Sequence, residues 1–101
     1  MNAKRKGTRN EHKTIRDLER SGYSCIRAAG SLGPFDIVAV SPLGVRLIQV
    51  KSNRPPSGIE KEAIEDFRCM PPNATKEVWL WRDYARRAEV TYYPNRKAAG
   101  G

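Results

Sequence analysis

The chain has 101 residues, room for one small domain spanning residues 1–101. Such a domain buries roughly 60–65% of its unfolded surface, so its stability is modest and a second copy would add to it. A hydrophobic fraction of 39% excludes a disordered body, and a formal charge of +8 favours a polyanionic partner, most simply nucleic acid.

Residues 1–7 carry Lys4, Arg5 and Lys6 with little apolar anchoring, which predicts a mobile basic arm. It is either a solvated tail or a phosphate contact. Thr8 to Ser21 reads as the first helix. Thr8 and Glu11 have capping-box spacing, and Gly22 supplies the stop. Glu11 shares a narrow apolar stripe with Ile15 and Leu18, so it is either a cap or a carboxylate aimed inward at a site. Tyr23 to Ala29 reads as a strand. Ala29 to Pro34 reads as a Gly/Ser loop, with Ser31 offering a hydroxyl. It is either a plain connection or a phosphate contact, and it lacks the Gly-Lys-Ser/Thr ending of a P-loop.

Two runs rich in β-branched residues follow, Phe35 to Val40 and Val45 to Lys51. Ser41, Pro42, Leu43 and Gly44 join them, which predicts an antiparallel hairpin. Asp36 opens the first run, where a carboxylate is costly to bury unless a cation or metal meets it. Gln49 and Lys51 are two apart, so strand periodicity puts both on the face of Val45 and Leu47, opposite Asp36 across the ladder.

Ser52 to Ser57, with Arg54, Pro55 and Pro56, is a stiff basic connector. Ser57 and Glu60 form a second capping box, opening a helix that runs to about Cys69 and stops before Pro71-Pro72. Ile59, Ala63, Phe67 and Met70 are its expected packing face, and Glu60, Glu62, Glu65 and Asp66 its wet face. Lys76 to Arg82 reads as a buried strand, and Arg86 to Tyr93 as the last one. Trp79 and Trp81 suit core or subunit-interface packing better than base stacking. Pro94 to Gly101 reads as a frayed tail. Cys25 and Cys69 lack metal-ligand spacing and read as reduced thiols, with a disulfide as the less favoured alternative. No apolar run nears the ~20 residues of a membrane helix, no helix pairs a basic face with a large apolar one, and no signal peptide is visible. The expectation is a cytoplasmic protein with no membrane partner.

Helix, three strands, helix and two strands suit an α/β sandwich: a central mixed sheet flanked by helices. Glu11, Asp36, Gln49 and Lys51 then fall on the first helix and the hairpin. Asp36 offers a carboxylate oxygen, Gln49 an amide oxygen and Val50 its carbonyl, with Glu11 binding directly or through water. These are ligands for a hard divalent ion such as Mg2+, with Mn2+ as a substitute. Such an ion polarises a phosphodiester and acidifies a bound water. Lys51 beside it would position that water, offset developing charge, or act as a base.

Pro34-Phe35-Asp36, followed thirteen residues on by Gln49-Val50-Lys51, resembles the PD-(D/E)xK nuclease signature. With Glu11, the Lys4-Arg5-Lys6-Gly7 lead and the Gly30-Ser31 loop, the chain is most similar to archaeal-type Holliday junction resolvases, over about Arg5 to Asn53. The resemblance implies a restriction-endonuclease-like αβββαβ(β) core. It also implies a homodimer that binds branched DNA and cuts two opposed strands of a four-way junction with magnesium. Carried over, Glu11, Asp36 and Gln49 take metal-site positions, Lys51 that of the catalytic lysine, and Ser31 that of the serine near the scissile phosphate. Lys4, Arg5, Lys6, Arg9, Arg27, Ser31 and Arg54 are the candidate DNA contacts. Two departures stand out. Phe35 separates Pro34 from Asp36, and Gln49 stands where Asp or Glu is usual, supplying an oxygen without a charge. The alternatives are a nuclease for other branched DNA, ends or RNA, a catalytically silent nucleic-acid-binding module, and a basic domain whose Asp36 and Lys51 merely form an ion pair.

Overall fold

The computed structural model describes residues 3–67 and 71–94, without the side chains of residues 3–6, Ala29 and Ser31. Its elements are α1 (Ala3–Arg20), β1 (Ser24–Leu32), β2 (Phe35–Ser41), β3 (Gly44–Ser52), α2 (Gly58–Asp66), β4 (Ala74–Trp81) and β5 (Glu89–Tyr93). The strands form one sheet in the order β1-β2-β3-β4-β5. β3 and β4 are parallel, and the other neighbouring pairs are antiparallel. The parallel pair follows from α2, which crosses over between them.

Two-residue periodicity divides the core into two layers. Ile37, Ala39, Ile48, Trp79 and Trp81 face α1 and pack with Leu18. Leu47, Val78 and Phe35 lie on the other side and pack with Ile64 of α2. Phe67, just past α2, meets Phe35 edge-on with ring centroids 5.2 Å apart. The tryptophans are 8% and 3% exposed, so they belong to the protomer's own core and give no support to a subunit interface. The hairpin register, Val38↔Leu47 and Val40↔Val45, puts Gln49 in phase with Leu47 on the α2 face; beyond its last pair, Ile37↔Ile48, the alternation breaks and Phe35 turns to the α2 layer. Gly44 makes the turn possible. It has φ 144°, and a Cβ there would sit 2.0 Å from the Asn73 carbonyl oxygen.

Several local expectations are corrected. α1 begins at Ala3, so the backbone of residues 3–7 is helical rather than a mobile arm. Thr8 therefore lies inside the helix and caps nothing, and Glu11 is released from a capping role. β1 continues through Leu32 with an irregular register after Arg27, reducing the expected loop to a turn at Gly33-Pro34. α2 ends at Asp66, with Phe67 as its C-cap. Its buried row is not the expected one: Ile59 is 83% exposed and Ala63 is exposed, whereas Ile64 is fully buried. The row running i, i+4, i+7 through Glu60, Ile64 and Phe67 faces the sheet instead. β5 begins only at Glu89, and residues 82–88 are irregular. Cys69, Met70 and most of the expected tail lie outside the described residues. Cys25 is a free, half-buried thiol whose pKa is pushed up, chiefly by burial.

Two polar devices fix α1 and α2 to the sheet. Buried Thr14 donates to the Asn10 carbonyl at 2.8 Å and accepts from the Trp81 indole Nε1 at 2.8 Å. Thr14→Val keeps the shape but leaves that indole N–H unmet. It should cost about 1–3 kcal/mol in a urea melt, with the midpoint shifted and the slope unchanged. Beneath the other face, buried Lys76 sends Nζ to the carbonyls of Ile64, Glu65 and Phe67 at 2.8, 3.1 and 3.1 Å. It thereby meets carbonyls at the end of α2, of which that of Ile64 also accepts the Phe67 N–H.

Candidate active site

The site forms where β2 and β3 part. Their pairing ends at Ile37↔Ile48. One step on, Val50 N–H has no β2 backbone partner and donates to Asp36 Oδ2 at 2.8 Å. The N–H and C=O of one residue in an antiparallel ladder point the same way, so the Val50 carbonyl faces the same gap. The Gln49 amide is fixed from one end, where Nε2 donates to the Pro34 carbonyl at 3.2 Å. Its other end, Oε1, is buried and is the one such side-chain atom among the described residues without a hydrogen-bond partner.

Asp36 has a raised pKa. Burial is the main cause, offset by the Val50 N–H; the Glu11 and Glu60 charges raise it further and the Lys51 charge lowers it. The structure therefore brings Glu11, Asp36, Gln49 and Lys51 to one end of the sheet, with unequal roles. Glu11 comes from the α1 face and is held by Arg27, whose Nε and Nη2 reach Oε1 at 3.0 and 2.8 Å. It shapes the field at Asp36 but is already engaged. Lys51 Nζ, by contrast, is held by both carboxylate oxygens of Glu60, at 3.1 and 3.0 Å. Sequence reasoning assigned Glu60 to the wet face of its helix, so this is the main residue it missed. The signal was present: the capping box fixes where α2 starts and folds Glu60 back toward Ser57. Glu60 has a lowered pKa, first from the Ser57 backbone N–H and then, against some desolvation, from Lys51.

The donor set suits a hard divalent ion. Gln49 carries a buried amide oxygen with no partner, and beside it Asp36 keeps one oxygen spare next to the Val50 backbone. Among the described residues, however, no three His, Cys, Asp or Glu side chains form a metal-binding cluster.

Of the expected DNA contacts, Arg9 and Arg54 are exposed, and Arg27 is exposed while tied to Glu11. The side chains of Lys4, Arg5, Lys6 and Ser31 lie outside the described residues. A second cationic feature was not foreseen. Lys13, Arg16, Arg20 and Arg86 line a groove beside α1, with Trp81 at its floor and Lys13 Nζ 5.3 Å from the indole centroid. Trp81 pairs with Ser52, so the groove opens at the same end of the sheet as Lys51.

The family profile described as archaeal Holliday junction resolvase (Hjc) matches residues 2–92. The chain belongs to the archaeal Holliday junction resolvase family. It is thus a resolvase-type endonuclease for branched DNA, in a family that generally uses a divalent metal. No curated protein matched. Among solved structures, this resolvase is similar to Hjc, a Holliday junction resolvase from the archaeal hyperthermophile Archaeoglobus fulgidus, known at 1.6 Å resolution. The two share 30% identity and a TM-score of 0.65, over 89% of this chain and 73% of the other. The likeness extends to the restriction-endonuclease-like arrangement of sheet and helices. No helix among the described residues is long and apolar enough to cross a membrane.

Proposed function

We propose that this resolvase hydrolyses phosphodiesters at four-way DNA junctions with Mg2+, or Mn2+ in its place, acting as a homodimer in the cytoplasm. The observation that carries the reading is the parted end of β2 and β3, where Asp36 takes the Val50 N–H, the buried Gln49 Oε1 next to it has no hydrogen-bond partner, and Lys51 follows on the same strand. The Asp36 and Gln49 oxygens and the Val50 carbonyl would hold the ion. When bound, it would polarise the scissile phosphate and acidify a water.

The remaining work falls to the chain itself. Lys51 presents an ammonium at the gap, where it offsets the charge that builds on the phosphate oxygens. Arg27, which orients Glu11, keeps its guanidinium about half exposed and can meet a flanking phosphate. Lys4, Arg5, Lys6, Arg9, Ser31 and Arg54, with the cationic groove beside α1, hold the junction arms through their backbones. Such contacts position DNA without reading its sequence. A protomer carries one such gap, so two opposed cuts call for two protomers related by a two-fold axis.

The test is incubation of purified protein with labelled four-way junction, flap and plain duplex, with and without Mg2+. Paired cuts in the junction that require the ion are expected, along with little cutting of duplex. Salt-sensitive junction binding without cutting, in either Mg2+ or Mn2+, would instead identify a silent binding module, the outcome that uncharged Gln49 favours. Sedimentation of a monomer at micromolar concentration, alone and on the junction, would overturn the dimer.

A further inference from the structure

The uncharged residue at position 49 creates a deficit. The Asp36 carboxylate is offset by the Lys51 ammonium and the Glu11 carboxylate is tied to Arg27, whereas divalent-ion affinity rises with the charge of the ligand set. Gln49 supplies an oxygen to the gap but nothing toward that charge. It is only 6% exposed, and its Oε1 makes no hydrogen bond, an arrangement that is costly unless something electropositive fills it.

Opposite the gap, α2 delivers a second acid. Glu60 lies on the sheet-facing row of the helix, with its carboxylate 3.0 Å from Lys51 Nζ. Its Oε1 accepts from Ser57 N–H at 2.9 Å as well as from Lys51, and Oε2 accepts from Lys51 alone. A cap alone does not explain this placement. Glutamine serves a capping box equally well, and the cap does not require contact with Lys51.

We propose that Glu60 supplies from α2 the negative charge that position 49 lacks, completing a divalent-ion site whose oxygen ligands are Asp36, Gln49 and the Val50 carbonyl. This rests on the proposed divalent site. In the ion's absence the Glu60 charge is balanced by Lys51. With an ion bound, the Glu60 charge would add to that of Asp36, and Lys51 would be freed to face the phosphate.

The measurement is calorimetric titration of DNA-free protein with Mn2+, so no turnover is needed. Glu60→Gln keeps the cap and the helix. It should weaken Mn2+ binding about 10-fold or more, the scale set by outer-shell partners of metal ligands. Gln49→Glu should gain more affinity in the Glu60→Gln background than in the parent, a coupling that a merely structural role for Glu60 would not produce. Asp36→Asn should remove the binding altogether. If Asp36→Asn removes binding but Glu60→Gln leaves it at the wild-type level, the Glu60 assignment fails and the site stands. If Mn2+ binding ignores Asp36→Asn, the site and the assignment both fail. Far-UV circular dichroism of Glu60→Gln should match the parent, which separates lost charge from lost helix.

Discussion

Asp36→Asn is expected to abolish junction cleavage, leave junction binding intact, and raise rather than lower the melting temperature of the metal-free protein. The first two effects follow from what Asp36 does. In the proposed site its carboxylate would be the charged ligand that β2 supplies, while the basic residues proposed to hold DNA lie elsewhere. An ion's charge stabilisation is worth several kcal/mol, so its loss should slow single-turnover cleavage roughly 10³-fold. A gel-shift titration should be unchanged. The third effect follows from the raised Asp36 pKa, which has burial as its main cause. Between the unfolded and folded pKa values the native state binds more protons than the unfolded one, so stability falls as pH rises through that window. Wild type should lose this contribution as pH climbs from about 4, the ordinary carboxylate value. The neutral amide cannot, and it still accepts the Val50 N–H. Melting curves at several pH values check this: equal Tm in the two proteins at neutral pH would contradict a carboxylate whose pKa is raised by partial burial.

The largest stability effect should come from the opposite end of the sheet. Glu77 is fully buried, and its carboxylate meets Arg46 through Nε and Nη2, both at 2.7 Å. Thr75 and the Trp79 indole also donate to it. Arg46 in turn lies over the Tyr23 and Trp79 rings, 5.1 and 5.7 Å from their centroids. Glu77→Ala strips a buried guanidinium and an indole N–H of their acceptor at once. About 3–5 kcal/mol should be lost, a large part of the roughly 5–15 kcal/mol typical of a small domain. Equilibrium denaturation should show a largely unfolded variant at 37 °C. Pairing it with Arg46→Met should recover only part of the loss, because the Thr75 and Trp79 donors remain.

What the sequence reveals divides by the physics involved. The hairpin and the face shared by Gln49 and Lys51 were legible because strand side chains alternate with a period of two and Gly44 marks the turn. The helices were less so. Lys4, Arg5 and Lys6 are good helix formers, and the single Gly7 costs only about 1 kcal/mol, so α1 extends through a stretch that composition alone makes look like a tail. α2 has nine residues, too few turns for periodicity to settle its phase. Composition thus points to Ile59 as core where Ile64 is buried, and the same shift in phase turns Glu60 toward Lys51. Glu11 was placed correctly near Asp36. Its attachment to Arg27 was not foreseeable, because that contact depends on how α1 settles against β1. The Arg46–Glu77 pair likewise joins residues far apart in sequence that only the parallel β3/β4 register brings together.

A helix of nine residues does not hold its shape alone in water. α2 persists because a lysine from each of two neighbouring strands grips it, Lys51 near its start and Lys76 at its finish. Between these anchors its apolar purchase is slight. It is therefore the segment best suited to undock while the rest of the sheet stays folded, carrying Glu60 away from Lys51 as it goes. Ion affinity would then be governed by a local opening equilibrium, so that substitutions in the 53–57 connector could tune the site without touching a ligand.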